Sequence, residues 1–176
     1  MILNNKVSYR YASGLFQLAK DQNLLKALLS DCQLILKHEQ NKEFSELVMN
    51  PTLSKDKKLE IFMEAFKGQV SIKFLDFFEL LIIKGREIHL FSITRTYIML
   101  YNKLKSIIVA EVVSATPLEN NVLNMIKEKF ASRGKIEITQ TIDKNIVGGI
   151  IVKVGDLQYD LSIRNQINSV KRAFKI

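Results

Sequence analysis

Residues 135–172 read KIEITQTIDKNIVGGIIVKVGDLQYDLSIRNQINSVKR, and their periodicity decides the fold class of the second half of the chain. Ile136, Ile138 and Ile142 are expected on one side of a strand and Glu137 and Thr139 on the other, because successive strand side chains point to opposite faces. Asp143-Lys144-Asn145 predicts a turn, Ile146 to Val154 a further strand, Gly155-Asp156 a hairpin turn and Leu157 to Tyr159 a short last strand. Ile163, Ile167, Val170 and Phe174 then recur at a 4-3-4 spacing, which sets all four on one stripe of a closing helix.

Upstream, Ile107 to Ala115 is rich in β-branched residues and reads as another strand. Thr116-Pro117-Leu118-Glu119 joins a capping threonine, a proline at the first helical position and a glutamate three residues after the cap, a strong helix start. Leu118, Val122, Met125, Ile126 and Phe130 would form that helix's apolar face, with an end near Gly134.

Before Ser106 the period is helical. Val7, Tyr11, Leu15 and Leu18 follow Asn4 and Asn5, either of which suits a cap, and Leu25, Leu28, Leu29, Cys32, Ile35 and Leu36 make a second stripe. Phe44 to Met49 stops at Asn50-Pro51, because a residue before proline is driven out of the α region. Ser54 caps a fourth helix carrying Leu59, Phe62, Met63 and Phe66 and ending at Gly68. Phe74, Leu75, Phe77, Phe78, Leu80, Leu81, Ile82 and Ile83 leave few polar positions between Val70 and Lys84, so the fifth helix is expected to be buried on most sides. Gly85 ends it, and Leu90, Ile93, Tyr97, Leu100 and Leu104 mark a sixth.

The expected fold is therefore mainly α, an N-terminal six-helix bundle over residues 1–105 followed by a small α+β C-terminal domain over residues 106–176. The second part, about 70 residues long, has neither disulfide nor metal to staple it, and a core of that size gives only about 3 to 5 kcal/mol. It is expected to be marginal alone and to gain stability by docking on the bundle or a partner.

Composition fits a globular chain: 176 residues, 47% apolar and 25% charged, with a formal charge of +8. A single cysteine, Cys32, excludes an internal disulfide and any multi-cysteine zinc site, in keeping with a reducing compartment. No apolar run reaches the roughly 18 to 20 residues needed to span a bilayer. The positive charge permits attraction to anionic lipid, nucleic acid or acidic protein faces, so a small basic nucleic-acid-binding protein is the alternative reading.

Catalytic constellations are not found. His38, on the polar side of the second helix, and His89 are far apart and lack carboxylates at zinc-site spacing. Cys32 sits inside a leucine stripe, where a buried thiol is expected rather than a nucleophile. Gly148-Gly149 is not followed by the Lys-Ser or Lys-Thr of a nucleotide cradle, and reads as a bulge or a close backbone approach. Asp156 and Asp160 suit a turn and a helix cap. Lys55, Lys57 and Lys58 lie in the first turns of a helix, and Lys171, Arg172 and Lys175 suit the negative end of a helix dipole. No catalytic residue, cofactor site or metal site is assigned.

The motif Ile142-Asp143-x-x-Ile146-x-Gly148-Gly149-Ile150-x-Val152-Lys153-x-Gly155-Asp156, closed by Asp160-x-Ser162-x-Arg164, resembles the C-terminal signature of the δ subunit of F-type ATP synthases, the family of the oligomycin-sensitivity-conferring protein. Tyr11-Ala12-x-x-Leu15-Phe16-x-Leu18-Ala19, Asn50-Pro51-x-Leu53-x-x-x-Lys57, Lys84-Gly85-Arg86 and Val113-Ser114-Ala115-x-Pro117-Leu118 are similar to its earlier motifs, in the same order. Two departures stand out. Gly14 replaces the family's usual alanine inside the first helix, at a cost of about 0.5 to 1 kcal/mol, and Leu161 stands where many relatives have a small residue.

The resemblance implies a non-catalytic stator subunit, present once per complex and without a cofactor. Its bundle would receive the N-terminal helix of an α subunit of the catalytic head, and its C-terminal domain would join the b subunits of the peripheral stalk. It would lie at the cytoplasmic face of the bacterial plasma membrane, or the plastid equivalent, held there through the complex and binding no nucleic acid. The machine it serves turns a proton or sodium gradient into ATP synthesis. Exposed apolar members of the first and fifth helices, Tyr11, Leu15, Phe74 and Phe78, are expected to floor the groove for the α segment. Arg164, Lys171 and Arg172 on the last helix are the candidates for the stalk contact.

Overall fold

A computed structural model describes residues 6–131, 134–143, 145–155 and 157–173. The chain divides into two compact units, Met1–Tyr101 and Asn102–Ile176. It is mainly helical, with a small sheet confined to the second unit.

The helices of the first unit are α1 (Lys6–Asp21), α2 (Leu25–Lys37), α3 (Lys42–Met49), α4 (Lys55–Phe66), α5 (Ile72–Ile83) and α6 (Leu90–Leu104), the last running on past Tyr101. Asn4 and Asn5, the expected caps of α1, lie outside the described residues. Three later helices start on side-chain caps: Asn41, Ser54 and Ser71 accept from the backbone N–H of Phe44, Lys57 and Phe74. Asn50 is extended, at φ −69° and ψ 116°, as the residue before Pro51 must be.

The core of this unit is built on phenylalanine. Phe62 stacks on Phe78 with centroids 3.6 Å apart, while Phe44 meets Phe66 and Phe91 edge-on at 5.1 and 5.7 Å. Tyr97 is fully buried, its ring edge-on to Phe16 and its hydroxyl donating to the Leu25 carbonyl at 3.2 Å. Cys32 is also fully enclosed; burial, and then the charge of Asp31, push its thiol pKa upward, so it stays protonated.

Two of the polar links between helices of this core involve a buried charge. Asp31 on α2, only 6% exposed, accepts from the backbone N–H and the hydroxyl of Ser71. Lys58 on α4, 3% exposed, reaches Glu87 Oε1 at 2.8 Å. The basic run of α4 is thus no single exposed patch, because Lys58 points inward and Lys55 Nζ donates to the Ile83 carbonyl at the end of α5.

α5 is less enclosed than its composition predicts. Phe74, Phe77, Phe78, Leu81 and Ile82 are buried, but Ile72, Leu80 and Ile83 are exposed. The helix packs one side on the core and leaves an apolar strip outside it.

In the second unit, β1 (Ile107–Ser114), β2 (Lys135–Ile142), β3 (Gly149–Val154) and β4 (Leu157–Ser162) form a sheet in the order β2-β1-β3-β4. β1 and β2 are parallel, joined through α7 (Asn120–Phe130), while β1–β3 and β3–β4 pair antiparallel. Ala110, Val112, Ile136, Val152 and Val154 pack with Ile126 and Phe130 of α7 in a separate small core. α8 (Ile163–Ala173) follows β4 directly.

Three boundaries differ from expectation. α7 begins at Asn120, because the Thr116 carbonyl already accepts from the hydroxyl of Ser114 and from Gln140 Nε2, and is not free to start a helix. Glu119 becomes the cap residue, its carbonyl accepting from the N–H groups of Val122 and Leu123. β3 starts at Gly149, since Ile146 closes a turn onto Asp143 and the Gly148 carbonyl accepts from Ile163. β4 extends beyond Tyr159 to Ser162, where it pairs with Gly149. Asp156 lies outside the described residues.

Candidate protein-interaction surfaces

Helical spacing places Tyr11, Gly14, Leu15 and Leu18 of α1 on one face, at i, i+3, i+4 and i+7. On α5 the same rule groups Lys73, Asp76, Phe77 and Leu80. These two faces enclose an open groove of about 340 Å³, with Arg10 at its rim. Leu15 and Phe77 form its buried floor, and Leu18 (38% exposed) and Leu80 (42%) its accessible walls.

The rim is charged. The Arg10 guanidinium lies 5.5 Å from the centroid of the Tyr11 ring, and Lys73 Nζ lies 3.4 Å from Asp76. Arg10 on α1 and the Lys73–Asp76 pair on α5 thus flank the apolar trough.

Of the expected groove residues, Tyr11 and Leu15 line this trough. Phe74 and Phe78 do not: they are 0% and 1% exposed and belong to the phenylalanine core. The reason is the phase of α5. Residues 74, 78 and 81 share the inward side, so the α5 positions left to line the trough are Phe77, at its buried floor, and the exposed Leu80. Neither residue was singled out from the sequence; the spacing of Phe77 and Leu80 from Lys73 and Asp76 was the available signal.

A second hollow of about 240 Å³ in the same unit is lined by His38, Phe44, Leu47, Ile61 and Phe66 among others. His38 sits in a 3₁₀ turn after α2, its ring edge-on to Phe66 at 5.3 Å, and is half-buried rather than on a polar helix face. Among the described residues no three His, Cys, Asp or Glu side chains gather as a metal set.

In the second unit the double glycine meets the start of α8. A Cβ on Gly149 would fall 2.3 Å from the Leu161 carbonyl oxygen, and one on Gly148 would fall 2.7 Å from Ile163 Cδ1. Beside them the Ser162 hydroxyl accepts from the Asn165 N–H, capping α8, and Asp160 accepts from the Ser162 N–H at 2.9 Å. Hydrogen bonds from the Ser162 side chain and then its backbone hold the Asp160 carboxyl below its ordinary pKa. Asp160 is thus committed to turn geometry.

This junction opens a shallow hollow of about 200 Å³ lined by Val147, Ile163, Arg164, Ile167 and Asn168. Val147 is 74% exposed and Ile167 51%. Arg164 and Lys171, seven residues apart on α8, share a side with Ile167, and Lys171 is exposed. The side chain of Arg172 lies outside the described residues.

The model of the family described as ATP synthase delta (OSCP) subunit matches residues 7–174. The chain is 31% identical to the ATP synthase subunit delta of Brevibacillus brevis, covering 95% of this chain and 97% of that one. It is 32% identical to the subunit delta of Alkaliphilus oremlandii, covering 94% and 93%. Among solved structures, a chain of the mitochondrial ATP synthase hexamer of Toxoplasma gondii shares the fold at a TM-score of 0.74 and 20% identity, over 96% of this chain.

Proposed function

Because the chain belongs to the ATP synthase delta (OSCP) subunit family, a structural part of that machine and not a catalyst, we propose that it is the adaptor of the stator. In this reading the first unit holds the catalytic head through the N-terminal helix of an α subunit, and the second joins the b subunits of the peripheral stalk. The stator then resists the torque of the shaft, so that ion flow is coupled to ATP synthesis at the cytoplasmic face of a bacterial membrane. No described helix is long and apolar enough to cross a membrane; in this reading the subunit is held there through its partners.

The groove between α1 and α5 carries this proposal. An amphipathic helix needs an apolar trough with a few polar anchors at its edge, and Tyr11, Leu15, Leu18, Phe77 and Leu80 below Arg10 and Lys73 meet that requirement. A single copy that must outlast many turnovers calls for nanomolar binding, about −12 kcal/mol for the combined contacts. For the stalk, the apolar hollow at Val147, Ile163 and Ile167 beside Arg164 and Lys171 supports a contact in which Arg172 takes part as the next basic residue of α8.

A tagged pull-down from gently solubilised native membranes, with nuclease present, tests the reading. Recovery of α, β and stalk subunits with one copy of this chain supports it, and a folded, accessible tag that brings down none of them rejects it. Leu80→Asp should release the α and β subunits while leaving stalk subunits attached. Charge reversal at Arg164, Lys171 and Arg172 should do the opposite. The nucleic-acid alternative draws no support from the family.

A further inference from the structure

Gly14 sits near the middle of α1, where glycine weakens a helix relative to alanine because it gives up more backbone freedom on folding. Helices keep such a glycine when another backbone or a bulky side chain presses against it. Here a Cβ built on Gly14 meets no heavy atom within 4 Å, and the backbone is in no left-handed conformation. Nothing within the described chain makes use of the missing side chain.

What Gly14 does line is the groove, one turn below Arg10 and between Tyr11 and Leu15. Resting on the reading of that groove as the seat of the α-subunit segment, we propose that Gly14 is a specificity-determining residue. Its absent side chain leaves a notch that admits one large apolar side chain of the docked helix. The rim narrows the occupant further. Arg10 and Lys73 outnumber Asp76, so the matching segment carries an acidic residue about one turn from the large apolar one. An alanine in place of Gly14 would put a methyl group into the notch and force the inserted side chain off its rotamer.

The test uses the full chain and a synthetic peptide of the α subunit's N-terminal segment from the same organism, with variants in which each large apolar residue in turn becomes alanine. Gly14→Ala should weaken binding of the unmodified peptide by about tenfold, the scale of an overpacked contact. It should melt no lower than the parent chain, since the space is open. One truncated peptide should bind the parent and Gly14→Ala chains equally, which identifies the side chain that fills the notch. If Gly14→Ala binds the unmodified peptide as tightly as the parent, or more tightly, the notch is rejected while the groove stands. If the parent chain itself does not bind the peptide, the groove reading fails and the notch with it.

Discussion

The carboxylate of Asp31 on α2 holds Ser71, forty residues away, by accepting both its backbone N–H and its hydroxyl, while Ser71 Oγ in turn accepts the Phe74 N–H that opens α5. One buried carboxylate therefore caps a neighbouring helix at second hand, and its charge faces the positive end of that helix. Asp31→Ala should cost about 2 kcal/mol, because it strands two half-buried donors. Asp31→Asn, which keeps an acceptor but not the charge, should cost about half as much. Urea denaturation followed by helical circular dichroism would show the difference, and equal losses would mean that the charge contributes nothing.

Lys58 and Glu87 form the other buried pair, and Glu87 Oε2 has no partner among the described residues. Removing one member leaves an uncompensated charge, so Lys58→Met alone should destabilise the bundle by about 3 kcal/mol or more. The double variant Lys58→Met, Glu87→Leu should recover most of that loss, since a well-packed apolar pair of similar volume is often neutral. A thermal melt of parent, single and double variants decides it; an additive double variant would show that the pair is not coupled.

The two adjacent glycines should behave differently. Gly149 has φ +81°, and its added Cβ would press on the backbone of Leu161 and Ser162, so Gly149→Ala should cost at least about 2 kcal/mol. A Cβ at Gly148 meets only the flexible end of Ile163, and Gly148→Ala should cost about 1 kcal/mol or less. Hydrogen exchange of the β3 and β4 amides reads both, and a Gly148 variant as damaging as Gly149 would contradict this ordering.

Asp160 should make the second unit sensitive to acid. Its folded pKa lies below the ordinary 3.8, so the stability it adds is fully present above that value and is lost as pH falls through the lower folded value. Asp160→Asn should flatten this part of the acid-unfolding profile, leaving α8 amide exchange less dependent on pH. A profile unchanged by the substitution would remove Asp160 as its cause.

Much of this architecture was legible because its punctuation is local. Ser54, Asn50-Pro51, Gly68 and Gly85 end or begin helices through their own backbone preferences, and the alternation of Ile136 and Ile138 needs only its own period. The phase of α5 was hard to read, because only Lys73, Asp76 and Glu79 interrupt a helix that is otherwise apolar all round. Phe74 and Phe78 therefore belong to the core, and Phe77 and Leu80 line the groove in their place. Thr116 misled for a different reason: its capping pattern is intact, but Ser114 and Gln140, the latter 24 residues away, had already claimed its carbonyl. Lys58 likewise gave no local hint of Glu87.

Cys32, the chain's single thiol, is sealed against Asp31 and the leucines of the bundle core. A thiol reagent reaches it only when the bundle opens, so its labelling rate is a clock for those openings. No probe needs to be engineered for this. A ligand that grips the bundle should slow the clock so that the logarithm of its rate falls in proportion to the free energy with which the ligand stabilises the closed form, which lets the unaltered protein report in solution whether its groove is filled.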